Sequence, residues 1–264
     1  MAYDLTANNI NYQLKQYRLK RRLTFLDETP STNDVAKKLC AENKGSDAVV
    51  IADCQTAGRG RLDRTFVSPK GTGLYLSAVY TLEGDEKNLE LLSSLAGLAV
   101  RDTLYNLYDL QVGVKWPNDI LLEGKKLCGI LCEMVNVQNR PKYVVVGIGI
   151  NTERGAFPDD VAGIAGAISE FYTGEIDRNE LAVELLHNLD RYLVKSRALQ
   201  EESNDILTRI KACSVSIGQR VRVVLPDSDF EARVLDILPN GALLVDSFDE
   251  GEKTITAGEI VHIL

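Results

Sequence analysis

The chain is poor in several residues around which well-known enzyme chemistries are built. Its 264 residues include two histidines, His187 and His262, and one tryptophan, Trp116. So few histidines, with no GxSxG motif, exclude a histidine-based nucleophilic triad. No GxxxxGK[ST] motif occurs, so a P-loop enzyme is excluded as well. The five cysteines (Cys40, Cys54, Cys128, Cys132 and Cys213) contain no CxxC pair. The nearest two, Cys128 and Cys132, have no third ligand close by, so no structural zinc is expected. Free, mostly buried thiols suit a reducing compartment. No apolar run reaches the ~18 residues of a membrane span. No charged-then-apolar leader opens the chain. A cytoplasmic protein with no membrane contact is the expectation. Thirty basic against 38 acidic residues leave a formal charge of −8. That balance disfavours nucleic acid, whose phosphates need a basic surface.

What is present reads as mixed α and β. In residues 1–22, Ile10, Leu14 and Tyr17 have helical spacing, and the segment closes on the basic run Lys20-Arg21-Arg22. It is read as an N-terminal extension with one short helix. A strand is expected over Leu23–Asp27. A helix follows, with Ser31 as its cap, Asp34 three positions on, and an apolar face of Val35, Ala36, Leu39 and Cys40. Ala48–Cys54 and Gly73–Leu82 read as strands, with a long Gly/Arg loop between them, and Leu89–Tyr108 as a helix. Four β-like runs span Val112–Lys115, Ile120–Leu122, Leu127–Val135 and Tyr143–Ile150. A Gly124-Lys125 turn makes the middle pair a hairpin. Asp177 to about Lys211 reads as helical, opened by Asp177 with Glu180. This order argues for an α+β mixed sheet with packed helices, over residues 23–213. From Ser214 the texture changes to short β-like runs, Arg220–Leu225, Glu231–Ile237, Ala242–Val245 and Lys253–Thr256, with a turn at Pro239-Asn240-Gly241. Residues 214–264 are therefore expected to form a small β-barrel.

Three segments carry chemistry. Gln55-Thr56-Ala57-Gly58-Arg59-Gly60-Arg61-Leu62-Asp63-Arg64 sets three arginines in a glycine-hinged loop. Glycines allow close backbone approach, and guanidinium groups offer paired donors to carboxylate or phosphate. In an acidic chain this points to an anionic small molecule, with a solvated surface loop as the alternative. Lys115-Trp116-Pro117-Asn118-Asp119 packs a lysine, an asparagine, an aspartate and the lone tryptophan into five residues, and Lys126 follows at the head of an apolar strand. Trp116 reads equally as core, and Lys126 as an edge residue or a point charge for phosphate. Val144-Val145-Val146-Gly147-Ile148-Gly149-Ile150-Asn151 lacks the third glycine of GxGxxG, so a dinucleotide fold is rejected. Two glycines at strand spacing would instead bare one sheet face to a flat ring.

Taken together, Ser31-Thr32-Asn33, Gly58-Arg59-Gly60-Arg61 with Arg64, Lys115 through Asp119, Lys126-Leu127-Cys128-Gly129-Ile130-Leu131 and Gly147-Ile148-Gly149-Ile150-Asn151 resemble the biotin protein ligase family, in its order and approximate spacing. The resemblance covers roughly residues 8–264. It implies the class II synthetase-like biotin–lipoyl ligase fold over 23–213 and an SH3-like β-barrel over 214–264. It implies an enzyme that joins biotin and ATP, with Mg2+ on the nucleotide, into an adenylate. Biotin then passes to a lysine of a biotin carboxyl carrier domain, of acetyl-CoA carboxylase or another biotin-dependent carboxylase. Ser31, Thr32, Asn33 and Gln55 would hold biotin, with Arg59, Gly60 and Arg61 closing over it. Lys126 would sit at the carboxylate and α-phosphate, and Asp119 near the acceptor lysine. Trp116, Asn118, Gly147, Gly149 and Asn151 would form the nucleotide side, with Arg64 a phosphate-loop candidate. No protein metal ligand is implied. Many family members have Gly where this chain has Asp63, a position where positive φ would suit Gly better. Some carry an N-terminal winged helix-turn-helix; 22 residues before the first strand are too few for one, so a ligase without nucleic-acid binding is expected. The resemblance leaves a homodimer open. A lipoate or octanoate ligase and a non-catalytic biotin-binding regulator are the rival readings.

Overall fold

Alternation with period two determines which helix each strand meets. In the computed structural model, which describes residues 4–62, 64–82, 89–138, 140–155, 157–194 and 203–262, seven strands form one mixed sheet. They are β1 (Arg22–Leu26), β2 (Ala48–Ala52), β3 (Gly73–Thr81), β4 (Gly113–Lys115), β5 (Asp119–Leu122), β6 (Lys125–Val137) and β7 (Arg140–Asn151). Their order is β1-β2-β3-β7-β6-β5-β4. Only β1 and β2 run parallel; each other pair is antiparallel. The β5–β6 turn falls on Glu123-Gly124, with φ of 49° and 77°, one residue before the expected place, and Lys125 already belongs to β6.

Helices cover both faces of the sheet, so β2 is apolar at every position rather than alternating. On one side Val49, Ile51, Leu74, Leu76 and Ala78 join the main core beneath α1 (Ala7–Gln16), α3 (Leu89–Tyr108) and α5 (Arg178–Leu193). On the other, Ala48, Val50, Val79, Tyr143 and Val145 meet Ala36 and Cys40 of α2 (Thr32–Ala41). The expected face packs as read, with Val35 and Leu39 partly buried beside Ala36 and Cys40, and Thr32 and Asn33 are buried in the first turn as well. Ser31 is its N-cap by position, but its side chain makes no capping bond. Asp177, in contrast, accepts from the backbone N–H groups of Asn179 and Glu180 and starts α5 as expected. A short helix, α4 (Asp159–Ala162), follows β7. The stretch read as continuous to Lys211 divides into α5 and α6 (Ser203–Ala212), and 195–202 lie outside the described residues. All five cysteines are free, with Cys40 and Cys128 buried. No helix among the described residues is long and apolar enough to cross a membrane.

The expected C-terminal barrel is not found. Residues beyond Ser214 form a five-stranded sheet of β8 (Arg220–Val224), β9 (Asp229–Ile237), β10 (Leu243–Ser247), β11 (Gly251–Ile255) and β12 (Glu259–His262). Its order is β11-β10-β9-β8-β12, so β11 and β12 are opposite edges and the sheet stays open. The physical reason is where its apolar face goes. Val221, Val223, Ala232, Val234, Leu243, Val245 and Ile260 belong to the same continuous core as the large sheet and its helices. The sheet therefore does not need to close on itself to leave water. Polar ties fasten the joint: Trp116 Nε1–H donates to Gly241 O at 2.9 Å, and Lys211 Nζ lies 2.6 Å from Asp236 Oδ2. The strand β12 was not anticipated from the sequence.

Candidate active site

The site lies on the α2 face of the large sheet, where the side chains become small. Ser77 of β3 pairs with Gly147, Tyr75 with Gly149, and Gly129 of β6 with Gly149. The first turn of α2 covers one end of this shallow stretch, and the rest forms the floor of a cavity. The 55–71 loop roofs it. Phe66 N donates to Gly58 O at 2.9 Å, Gly60 N donates to Arg64 O at 2.7 Å, and Arg59 bridges Thr65. The Gly/Arg segment is thus a small antiparallel flap whose tip carries Arg61, Leu62 and Arg64. Leu62 adopts φ 50° there; Asp63 lies outside the described residues.

The sheet face expected to be bare is in fact filled. A Cβ on Gly147 would lie against Asn33 Oδ1, 2.8 Å from its Cγ. A Cβ on Gly149 would lie against the Phe66 ring, 2.7 Å from Cζ, and one on Gly129 would be 3.2 Å from Cε2. The glycines seat two side chains, and Phe66 forms a wedge over Gly129 and Gly149. Polar groups gather on the α2 side of that wedge. Thr32 N and Oγ1 donate to Gln55 Oε1 at 2.9 and 3.1 Å, and Gln55 Nε2 donates to Ser68 Oγ at 3.0 Å. Ser77 Oγ lies 2.7 Å from Thr32 Oγ1 and 2.6 Å from Asn33 Oδ1. Asn33 Nδ2 donates to Glu133 Oε2 at 2.7 Å.

Cations gather on the other side. Lys126 Nζ is 2.6 Å from Asp119 Oδ1, and Lys126 N donates to Ile164 O at 2.7 Å, which brings the 157–166 segment to the rim. Burial lowers the Lys115 pKa; Asp119 and Glu259 oppose that shift, and Lys126 and Arg64 add to it. The flap tip reaches the small sheet, where Arg61 Nη2 donates to Gly258 O at 3.2 Å and Arg64 Nη2 is 2.5 Å from Glu259 Oε2. Asn118 Nδ2 donates to Ile130 O at 2.9 Å and Asn151 Nδ2 to Gly166 O at 2.9 Å, so both amides fasten backbone at the cavity edge.

Every residue singled out from the sequence borders this one cavity. Two are engaged differently from expectation. Arg59 pairs with Asp34 and sits 3.9 Å from Glu133. Trp116 is 3% exposed and fastened to Gly241. Lys115, Phe66, Ile164, Glu259 and Ile260 were given no part in a site, whereas Ser77 belongs to the Leu74–Ser77 stretch that the resemblance places in the wall of the biotin pocket. Lys115 had a signal, since it heads the polar Lys-Trp-Pro-Asn-Asp cluster. Glu259 and Ile260 had none, because they come from the unanticipated β12 and reach the cavity only through the fold.

Comparison with known proteins agrees with this geometry. Residues 25–151 match the biotin/lipoate A/B protein ligase family, and residues 216–263 match the biotin protein ligase C-terminal domain. The bifunctional ligase/repressor BirA of Bacillus subtilis is 31% identical over 262 residues, 97% of this chain and 78% of that protein. The biotin–[acetyl-CoA-carboxylase] ligase of Mycobacterium tuberculosis is 34% identical over 253 residues, covering 92% of this chain and 90% of that one. The biotin protein ligase of Aquifex aeolicus, solved in complex with biotin and ATP, superposes with a TM-score of 0.77 at 28% identity, covering 92% of this chain and 99% of that one. The likeness thus runs along almost the whole chain, and the chain belongs to the biotin protein ligase family.

Proposed function

We propose that this chain is an ATP-dependent biotin protein ligase, working through a biotinyl-adenylate. One observation carries the reading: a single flap-covered cavity joins a neutral hydrogen-bonding end to a cationic end. The Thr32–Gln55–Ser77 network suits a cyclic urea, which both donates and accepts hydrogen bonds. Ser31 and Asn33 complete that end. Across the Phe66 wedge, Arg61, Lys115 and Lys126 face the place where two anions must meet.

In the first step the biotin carboxylate attacks the α-phosphorus of ATP and pyrophosphate leaves. Negative charge builds on the phosphoryl oxygens, so positioning and fixed positive charge matter more than proton transfer. Lys126 and Arg61 supply that charge, Lys115 and Arg64 extend it toward the leaving pyrophosphate, and Gly60 lets the flap backbone close over the product. Asn118, Gly149 and Asn151 shape the adenosine side by holding its floor and edge, with Trp116 packed behind that edge, while Gly147 seats Asn33 at the urea end. Asp119 and Glu259, the carboxylates at the cavity, are paired with Lys126 and Arg64. No group of three or more His, Cys, Asp or Glu suited to a metal occurs among the described residues. Mg2+ would come with the phosphates of ATP and offset their charge there. In the second step the acceptor lysine attacks the acyl carbon as a neutral amine and AMP leaves. Asp119, once Lys126 turns to the phosphate, takes the amine proton.

The acceptor is the biotin carboxyl carrier domain of acetyl-CoA carboxylase or a related biotin-dependent carboxylase. We divide the chain into an extension over 1–22, a catalytic unit over 23–213 and a C-terminal unit over 214–264. The test is mass spectrometry of a carrier domain incubated with the protein, Mg·ATP and either biotin or lipoate. Biotin added to the one carrier lysine supports the reading; lipoate addition, or biotin bound without transfer, overturns it.

A further inference from the structure

The flap is fastened on two opposite shores. Its tip meets the small sheet through Arg61 and Arg64, as described. Its base meets α2 and β6 through Arg59, and nothing in the ligase reading accounts for the groups that hold Arg59 there. Arg59 pairs with Asp34 in the first turn of α2 and lies 3.9 Å from Glu133 Oε2 on β6. Lys37, one turn along α2, braces both carboxylates, at 3.1 Å from Asp34 Oδ1 and 2.9 Å from Glu133 Oε1. Glu133 also receives the Asn33 amide at 2.7 Å. Two cations, two carboxylates and one amide therefore form a neutral lattice joining the flap base, α2 and β6.

We propose that Asp34 and Glu133, braced by Lys37, are positioning residues that latch the base of the Gly/Arg flap through Arg59. The proposal rests on the ligase reading only for its consequence, which is retention of the adenylate. The latch assigns different work to the arginines. A guanidinium between two fixed carboxylates is electrostatically satisfied and is held away from an incoming anion, so Arg59 anchors while Arg61 and the two cavity lysines receive the phosphate. The same α2 turn also grips the loop through Thr32 and Gln55, so both attachments of the flap base depend on one rigid element. Glu133 adds a connection to the ligand-binding end: it orients Asn33, whose Oδ1 faces Ser77. Flap closure and the shape of the urea-binding end are thereby linked through one carboxylate.

The pairs are partly exposed, with Arg59 and Asp34 side chains at 40% and 47%. Their strength is therefore moderate and screened by salt. The test is limited trypsin digestion of the full chain without added ligand, with cuts after Arg59, Arg61 and Arg64 quantified by mass spectrometry. Asp34→Asn and Glu133→Gln should each raise cleavage within the flap on the order of three- to tenfold, with cleavage elsewhere unchanged. Asp34→Glu, which keeps the charge, should stay near the parent. Raising KCl from about 0.05 to about 0.5 M should speed cleavage of the parent flap toward the Asp34→Asn rate and leave that variant unmoved. The salt titration needs no variant, so a substitution that fails to fold does not remove the test. With biotin and Mg·ATP, Asp34→Asn should release adenylate into solution several-fold faster, with the biotin KM less affected. Equal flap cleavage in parent and variants, insensitive to salt, overturns the latch. A chain that makes no adenylate overturns the ligase reading and leaves the digestion result standing.

Discussion

Replacing Gly147 by Ala tests whether the glycines of β7 seat side chains or merely leave room. The added Cβ would fall against Asn33 Oδ1, 2.8 Å from Cγ and 2.9 Å from Nδ2. All three terminal atoms are struck, so turning the amide over does not relieve the overlap. Asn33, 4% exposed, would have to leave its seat. It would give up the 2.7 Å bond to the Glu133 carboxylate and the 3.3 Å bond to Leu131 O, and it would lose its 2.6 Å contact with Ser77. A hydrogen bond to a charged group contributes about 1.5–3 kcal/mol, and overpacking alone costs about 1–3 kcal/mol. With partial relaxation, a destabilisation of about 3 kcal/mol follows, or a fall in Tm of roughly 6–12 °C for a chain of this size. Because Asn33 and Ser77 help form the hydrogen-bonding end of the cavity, biotin affinity should weaken on the order of 10- to 100-fold. Gly149→Ala is the matched control. Its Cβ would strike the Phe66 ring, but that ring sits on the flap, half-buried, and can swing outward. Its stability cost should be about 1 kcal/mol or less, with the loss falling on ATP use. Differential scanning calorimetry and biotin titration separate the two. A Gly147→Ala protein with Tm within about 2 °C of the parent and unaltered biotin affinity would refute the reasoning, as would identical behaviour of the two variants.

Other expectations follow from the cationic side and the joint. Lys126→Ala removes the cation paired with Asp119 at 2.6 Å; biotin-dependent pyrophosphate exchange should fall on the order of 100-fold or more, and exchange near the parent rate would remove Lys126 from its proposed place. Burial lowers the Lys115 pKa, so as pH rises this cation is lost before an exposed lysine would be. The KM for ATP should climb on the alkaline side, Lys115→Arg should keep it level, and parallel profiles for the two proteins would count against a phosphate role. Trp116→Phe deletes the N–H bonded to Gly241 O at 2.9 Å. Tm should drop by a few degrees for the about 1 kcal/mol lost, with the KM for ATP within about twofold; a large KM change with intact Tm would show that the indole serves the nucleotide rather than the joint.

What was legible in the sequence divides along the range of the forces involved. The large sheet could be read because its strands are rich in aliphatic and β-branched residues and bounded by turns, and because α3 carries its apolar pattern over a full 20 residues. The cavity residues could be gathered because most occupy a helix start, strand end or loop whose polar groups contrast with the run beside it, while Gly147 and Gly149 interrupt the apolar run of β7. The open C-terminal sheet could not be foreseen. Four short runs with turns look alike whether a sheet curls round its own interior or lays its apolar face on a neighbour, and only the neighbour decides. The same limit explains Trp116, which was read as either core or ligand wall. It is a core residue that borders the cavity, because the small sheet presents the Gly241 carbonyl to its indole. Arg59 shows the point most clearly. Three arginines in one glycine-hinged loop look equivalent as anion binders, yet Arg59 meets carboxylates from α2 and β6, while Arg61 reaches the Gly258 carbonyl just before β12 and Arg64 reaches Glu259 on it. A guanidinium takes the anion the fold puts nearest, so the loop's composition gave its chemical type, and the surrounding elements decided which arginine anchors and which remains for substrate.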